Sequence, residues 1–212
     1  MKVNEIFYSI EGEGKRAGKP CVFIRLYGCN LNCSYCDTRY SCENEEYSEM
    51  SIDEIMTKVM EYGCRNVTIT GGEPLLHKEL IDLLKALSSC YFLVNIETNG
   101  TFEPLEKIDG VFYTMDFKTA SSGMTNKMNR QAFQKLSPND VIKFVVGDKY
   151  DLYQSVGFYY GEQLMAIPYV SPIFGKIEPA EIAEFLKESH LDSWKLQLQI
   201  HKYIWEPQKR GV

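Results

Sequence analysis

Short apolar runs and amphipathic segments alternate along most of this chain. The apolar runs predict strands at residues 21–26, 66–70, 91–96, 111–116, 141–146, 164–168 and 194–198. Apolar positions three or four apart predict helices at residues 51–62, 78–88, 127–136, 150–156 and 179–188. The first of the predicted strands begins at Cys21. Because such alternation is typical of right-handed crossovers between parallel strands, we expect an α/β fold, a partial, open β/α barrel of about six parallel strands.

The length and charge of the chain limit its fold and its partners. A chain of 212 residues is long enough for one sizeable core and short for two, so we expect a single domain over residues 1–212. The formal charge of −6 provides no basic surface for nucleic acid, which favours a small-molecule substrate. No segment approaches the run of about 18 apolar residues that spans a membrane.

The cysteines indicate a reducing environment. There are seven of them, an odd number, and no apolar leader follows Met1, which argues against a secreted disulfide framework. We therefore expect a cytoplasmic protein whose thiolates can bind metal. Cys42 lies six residues after Cys36 and leaves open the alternative of a fourth metal ligand.

Three cysteines lie on one short loop. Cys29, Cys33 and Cys36 are separated by three and two residues, so their thiolates can converge on one point. Soft sulfur ligands select zinc or an iron–sulfur cluster over magnesium or calcium. A closed zinc site usually adds a second Cys or His pair about 12 to 20 residues on, whereas a three-thiolate cluster keeps one iron open for a small molecule. The loop predicts a metal centre, and zinc remains an alternative at this point.

Polar residues follow the predicted strands, where the ligand-binding loops of parallel β/α folds lie. They are Arg25 and residues 70–74, 97–100, 116–118 and 197–201. In the second of these segments, Thr-Gly-Gly-Glu-Pro, two glycines allow the backbone to approach a ligand closely. A simple turn at residues 99–100 and a buried ion pair between Asp116 and Lys118 are the structural alternatives.

The cysteine spacing, with Tyr35 before the last cysteine and Gly-Gly-Glu-Pro downstream, resembles the radical S-adenosylmethionine (SAM) enzymes. The resemblance implies a radical SAM core with a [4Fe–4S] cluster on Cys29, Cys33 and Cys36, whose open iron is chelated by SAM. One electron from the cluster would split SAM into methionine and a 5′-deoxyadenosyl radical. The resemblance also implies a set of SAM-binding residues: Tyr35, Cys36, Asp37, Gly72, Glu97, Asn99, Asp116 and Lys118.

Segments near both ends resemble one branch of these enzymes, the 7-carboxy-7-deazaguanine synthase family. They are residues 9–14, Ser-Ile-Glu-Gly-Glu-Gly, and residues 199–203, Gln-Ile-His-Lys-Tyr. The family implies a lyase of queuosine biosynthesis that takes a hydrogen atom from C6 of 6-carboxy-5,6,7,8-tetrahydropterin, contracts the ring and releases ammonia. The terminal segments would close the pocket, and the implied substrate-binding residues are Ile10, Glu11, Gly12, Arg25, Thr70 and His201.

The same family implies further components. These are a magnesium ion at Thr38, an electron donor such as flavodoxin or ferredoxin, and a homodimer. Two positions differ from some members: Glu11 stands where they have Gln, and Val212 lies eleven residues beyond His201. Two alternatives remain, an activating enzyme of a glycyl-radical enzyme, which would act on a protein, and a zinc-stabilised binding module without chemistry.

Overall fold

Strands and helices alternate along the chain, and the computed structural model describes residues 1–43, 45–207 and 209–212. The strands are β1 (Lys2–Ile10), β2 (Pro20–Leu26), β3 (Ser48–Glu49), β4 (Asn66–Gly71), β5 (Leu93–Thr98), β6 (Val111–Lys118), β7 (Val141–Val146), β8 (Ile167–Pro172) and β9 (Lys195–Leu196). The helices are α1 (Ile52–Glu61), α2 (Leu80–Ser89), α3 (Arg130–Gln134), α4 (Lys149–Gly161), α5 (Pro179–Glu188) and α6 (His201–Ile204). The predicted α/β class is confirmed.

The strands of the described residues form one sheet in the order β3-β1-β2-β4-β5-β6-β7-β8-β9. From β2 to β9 all neighbours are parallel, while β1 and β3 add an antiparallel edge. Within the part of the chain that the structure describes, β9 pairs with β8 alone, so the barrel is open, as predicted.

The helices pack their apolar faces against the outside of this sheet. In α1, Ser51 and Glu54 form a reciprocal capping box at the start, and the buried face carries Ile55 and Val59. In α2, four leucines three or four residues apart are fully buried, which is the spacing of one helix face. None of the helices in the described residues is long and apolar enough to cross a lipid bilayer.

Two strands, β1 and the two-residue β3, were not expected from the pattern, and several bounds differ. The prediction that the first strand begins at Cys21 is wrong, because β1 precedes it. Polar Asn4, Glu5 and Ser9 interrupt the apolar positions of β1, which lies towards the sheet edge and is mostly half-buried. β8 begins at Ile167 instead of residue 164, α3 is shorter than predicted and α4 is longer.

Side chains on the parallel strands alternate between an apolar outer face and a polar interior. On β4, for example, Val67 and Ile69 belong to the apolar core, while Thr68 and Thr70 lie on the other face. The same alternation continues on β5, β6 and β7, where the interior positions include Asn95, Glu97, Thr114, Asp116 and Lys143. The hydrophobic core thus lies between sheet and helices, and the inside of the barrel is left for polar chemistry.

The loop between β1 and β2 closes the amino-terminal end of the barrel. The Arg16 guanidinium donates to the carbonyl oxygens of Val67 (2.8 Å) and Leu93 (2.7 Å), at the starts of β4 and β5. It also donates to Thr68 Oγ1 at 2.7 Å and lies 3.7 Å from the Glu11 carboxylate. Since Arg16 and Glu11 are both buried, the pair forms a charged plug below the cavity.

We expect Arg16→Met to lower the free energy of unfolding by about 3–5 kcal/mol, because it leaves the Glu11 carboxylate buried without its partner. Urea denaturation followed by circular dichroism measures this change. The matched control is Lys187→Met, which removes an exposed ion pair with Glu184 and should cost less than about 1 kcal/mol. If the free energy of unfolding fell equally in the two variants, the buried Arg16–Glu11 pair would not be a special source of stability.

Candidate active site

A cavity of about 490 Å³ opens at the carboxyl ends of the parallel strands. This volume is within the range of small-molecule sites. Every residue that the sequence nominated for the site lines it: Ile10, Glu11, Gly12, Arg25, Cys29, Cys33, Tyr35, Cys36, Asp37, Thr38, Thr70, Gly72, Glu97, Asn99, Asp116, Lys118 and His201. The fold therefore brings all the nominated residues to one place, while their individual roles stay predictions.

The three cysteines of the loop are free thiols on the wall of this cavity. Among the described residues, no three His, Cys, Asp or Glu side chains gather closely enough to hold a single metal ion. An iron–sulfur cluster instead takes each thiolate on a different iron, so it accepts ligands that are further apart. The donor set, three soft sulfurs beside an open cavity, fits such a cluster.

The sheet register brings the cysteine loop and the Gly-Gly-Glu-Pro loop into contact. Leu26 pairs with Gly71, and beyond this pair the Glu73 N–H donates to the Gly28 carbonyl at 2.8 Å. A Cβ on Gly72 would lie 2.0 Å from that same oxygen, so no larger residue fits there without a shift. Cys29 follows Gly28 directly, and its position therefore depends on Gly72.

The sulfur of Cys29 receives two hydrogen bonds within the described residues. The Leu31 N–H donates to it at 3.5 Å and Asn99 Nδ2 at 3.7 Å. The neighbouring Cys42 thiol, together with these donors, lowers the pKa of Cys29 to about 6. Cys29 is therefore poised as a thiolate, the form in which cysteine binds metal.

Asn99 and Glu73 hold the strand ends around the cysteine loop. Besides its contact with sulfur, Asn99 Nδ2 donates to Asn30 Oδ1 at 2.9 Å. The Glu73 carboxylate accepts from Thr98 Oγ1 and from the Asn99 N–H, both at 2.7 Å. Burial raises the pKa of Glu73 to about 7, and the carboxyl group ties the end of β5 to the loop after β4.

Tyr35 carries a buried hydroxyl that has no hydrogen-bond partner in the described residues. It lies on the cavity wall in the middle of the cysteine loop. Since buried polar atoms are normally paired, a polar group of a bound cofactor fits this position.

A row of alternating charges crosses the cavity floor. Asp116 lies 2.9 Å from Lys118 Nζ and 3.1 Å from Lys143 Nζ, and Lys143 is also 2.6 Å from Glu13. Burial alone would favour the neutral acid, but the two lysines hold the pKa of Asp116 below its ordinary value. The ion pair between Asp116 and Lys118, one of the structural alternatives, is therefore present, and both residues still line the cavity.

Glu97 lies in the cavity beside Thr70, whose hydroxyl donates to it at 2.9 Å. Burial and the nearby Glu11 carboxylate raise the pKa of Glu97 to about 8. The raised pKa favours the protonated form, which can donate a hydrogen bond to a ligand.

The terminal segments of the described chain meet at the cavity. The Gln199 amide donates to Glu13 at 2.8 Å, and the Ile200 N–H donates to the Gly12 carbonyl at 3.2 Å. Gly12 is so close to the His201 ring that a Cβ would lie 2.0 Å from Nδ1. Burial lowers the pKa of His201, which favours a neutral imidazole that can both donate and accept.

Arg25 and Glu11 differ in what they offer a ligand. Arg25 uses its Nε–H on Glu5 at 2.7 Å, and within the described residues its two terminal nitrogens keep their donors for a ligand. The Glu11 side chain is instead committed to Thr68 and Arg16, and burial raises its pKa. The backbone N–H and carbonyl of Glu11 also form hydrogen bonds, to residues 19 and 18. Glu11, which stands where some family members have Gln, therefore pairs with Arg16 at the amino-terminal end of the barrel.

Sequence reasoning missed Glu13 and Lys143, which line the cavity and pair with each other. A usable signal was present, because Lys143 interrupts the apolar run Val-Ile-Lys-Phe-Val-Val at an inward-facing position. A charge in the middle of a buried strand needs a partner inside the barrel. The partner itself could not be read from the pattern, since it lies 130 residues away.

Comparison with known proteins shows the family to which the chain belongs. The Radical SAM superfamily model matches residues 23–136. The 7-carboxy-7-deazaguanine synthase of Clostridium acetobutylicum is 45% identical over 219 aligned residues, covering 100% of this chain and 99% of that protein. The enzyme of the same name from Chlorobaculum tepidum is 39% identical, covering 100% and 97%.

Among solved structures, QueE from Escherichia coli superposes with a TM-score of 0.77 at 24% identity, covering 93% of this chain and 92% of that one. This likeness supports the fold. With more than half of the chain matched by the superfamily and full-length relatives at up to 45% identity, the chain belongs to the radical SAM superfamily and, within it, to the 7-carboxy-7-deazaguanine synthase family.

Proposed function

We propose that the chain converts 6-carboxy-5,6,7,8-tetrahydropterin to 7-carboxy-7-deazaguanine by ring contraction with loss of ammonia. The observation that carries the proposal is that one cavity is lined by the three-cysteine loop and by both terminal segments that resemble the synthase family. Full-length relatives bear the synthase name, so the glycyl-radical activating enzyme is not favoured.

The cofactors of this superfamily are a [4Fe–4S] cluster and SAM, which together supply a one-electron cleavage that produces a hydrogen-abstracting radical. Cys29, Cys33 and Cys36 would hold the cluster. The proposed SAM contacts come from the cysteine loop and the neighbouring strand ends: Tyr35, Cys36, Asp37, Gly72, Glu97, Asn99, Asp116 and Lys118. Two observations support these SAM contacts: the buried Tyr35 hydroxyl has no hydrogen-bond partner in the described residues, and Gly72 packs closely on the cysteine loop.

The other side of the cavity would bind the pterin. The two terminal guanidinium nitrogens of Arg25 can donate to both oxygens of the pterin carboxylate. Thr70 and the neutral His201 present donors and acceptors for the ring edge, together with the backbone of residues 10–12. The terminal segments would exclude water by closing over the substrate, and the Glu13–Gln199 contact supports this.

A magnesium ion at Thr38 completes the proposed site. Thr38 lines the cavity directly after the last cysteine and Asp37. Hydroxyl, water and substrate oxygens are the ligands that magnesium prefers. The ion and Arg25 would together orient the substrate carboxylate, a positional contribution rather than an acid–base step.

We also propose a low-potential electron donor, such as flavodoxin or ferredoxin, and a homodimer. Exposed Asn32 and Ser34 on the cysteine loop provide a surface through which an electron donor could approach the cluster. All seven cysteines are free thiols, which suits a reducing compartment such as the cytoplasm.

The function is tested by turnover of the protein reconstituted anaerobically with iron and sulfide. With SAM, magnesium, dithionite and the pterin, we expect 7-carboxy-7-deazaguanine by liquid chromatography and mass spectrometry. Because SAM would be regenerated, product should exceed the SAM supplied. Cleavage of SAM without any deazaguanine would remove this assignment.

Replacing Cys29, Cys33 or Cys36 with Ala should abolish the iron–sulfur absorbance and SAM cleavage, because each variant removes one of only three ligands. Iron analysis and the visible spectrum of the reconstituted proteins check this. Cys64→Ala is the control, since this thiol lies outside the cavity lining and donates to backbone carbonyls. If Cys64→Ala also lost the cluster, the assignment of Cys29, Cys33 and Cys36 as its ligands would be wrong.

Gly72→Ala should weaken SAM binding by about 100-fold, since the new methyl group pushes the Gly28 carbonyl and with it Cys29 out of place. Calorimetric titration of the reconstituted protein with SAM measures this. Gly157→Ala is the matched control, because a Cβ there meets open space on α4 and should leave SAM affinity unchanged. Similar affinity in Gly72→Ala and the wild type would rule out the proposed contact.

A further inference from the structure

Glu5, a residue that the sequence did not nominate, contacts Arg25 from the neighbouring strand. Its carboxylate accepts the Arg25 Nε–H at 2.7 Å. Both side chains are largely buried, with 23% of the Glu5 side chain and 13% of the Arg25 side chain exposed. Arg25 lines the cavity, whereas Glu5 is not one of the described residues that do. Glu5 can therefore act on a ligand in the cavity only through Arg25.

The pairing of β1 with β2 places Glu5 at this position. Val3 pairs with Leu26 and Glu5 pairs with Arg25, so Asn4 is an extra residue between two consecutive partners of β2. Such a bulge re-aims the side chains that follow it. In a regular register Asn4 would lie opposite Arg25, and its amide carries no charge to pair with a guanidinium. The bulge thus supplies the cross-strand contact of opposite charges.

Tyr40 holds the same carboxylate from a second side. Its hydroxyl donates to Glu5 Oε1 at 3.0 Å, the oxygen that also accepts from Arg25. The Arg25 guanidinium lies 5.7 Å from the centre of the Tyr40 ring and 5.8 Å from the centre of the Phe7 ring. The Tyr40 ring is itself covered by the Arg210 guanidinium at 3.7 Å. The Nε side of Arg25 is therefore surrounded by fixed contacts.

These contacts prepare Arg25 for a carboxylate. A guanidinium binds a carboxylate best with two parallel N–H donors, and this requires a defined orientation of its plane. The arginine side chain has several rotatable bonds, and ordering them on binding costs affinity. Since Glu5 already orders the side chain in the free protein, a ligand loses less of its binding free energy to that cost.

We propose that Glu5, with the Tyr40 hydroxyl, is a positioning residue that directs the two terminal nitrogens of Arg25 at the carboxylate of the substrate. The contact makes the site selective for a carboxylated pterin over a pterin without this group. The inference rests on the proposed function in taking the pterin carboxylate as the ligand of Arg25. Glu5 itself touches neither the substrate nor a cofactor.

The test is a calorimetric titration of the reconstituted full-length protein with 6-carboxy-5,6,7,8-tetrahydropterin. SAM and magnesium are present and dithionite is left out, so that no turnover occurs. Glu5→Ala should weaken binding about tenfold, because the guanidinium loses its charged partner. Glu5→Gln keeps a carbonyl acceptor for Arg25 and should retain most of the affinity. Tyr40→Phe keeps the ring and should weaken binding about threefold.

Three controls separate positioning from a general loss of structure. Tetrahydropterin without the 6-carboxylate should bind Glu5→Ala and the wild type equally well. In an Arg25→Ala background, Glu5→Ala should cause no further loss, because its effect passes through Arg25. Glu162→Ala removes the partner of Arg130, at 2.6 Å in an ion pair outside the cavity lining, and should leave pterin affinity unchanged. SAM affinity should match the wild type in every Glu5 and Tyr40 variant.

Several results would overturn the inference. Unchanged pterin affinity in Glu5→Ala and Tyr40→Phe would show that Arg25 needs no such support. Tighter binding in Glu5→Ala and Glu5→Gln would mean that the Glu5 charge only opposes the anionic substrate. Equal losses for both pterins would make the effect structural. If the wild type did not bind the carboxylated pterin at all, the proposed substrate would be wrong, and this inference with it.

Discussion

The parallel pairing of β2 with β4 is the constraint on which the site depends. It sets Leu26 opposite Gly71, and the loops that continue from the two strands then run against each other. Gly72 packs on the Gly28 carbonyl at a separation that only glycine allows. Because Cys29 is the next residue, the sheet register determines where the first sulfur lies. The cysteine loop is thus positioned by a backbone contact at its base.

Stability and chemistry occupy opposite faces of the same strands. The outer face, with residues such as Ile69 and Ile96, is packed against helices and provides most of the apolar burial. The inner face holds Lys143 between Glu13 and Asp116, an arrangement whose desolvation cost roughly offsets its Coulombic attraction. A charged interior is therefore tolerated because the apolar core does not depend on it.

The sequence allowed the fold class and the lining of the cavity to be predicted, because motifs at strand ends are local and parallel strands bring their ends together. β1 was missed because polar residues interrupt its apolar positions. The Glu13–Lys143 pair was missed because a contact across 130 residues leaves no local pattern. The side chain of Glu11 points to Arg16, a partner that only the loop conformation reveals.

The meeting of the two terminal segments has a consequence for how the protein is made. Glu13 is synthesised early, but its Gln199 partner lies 186 residues later. Since ribosomes add about 5–20 residues per second, the growing chain passes through a stage in which the sheet can assemble while the cavity still lacks its cover. The contact between Gln199 and Glu13, and with it the cover of the cavity, therefore forms only after nearly all of the chain has been synthesised.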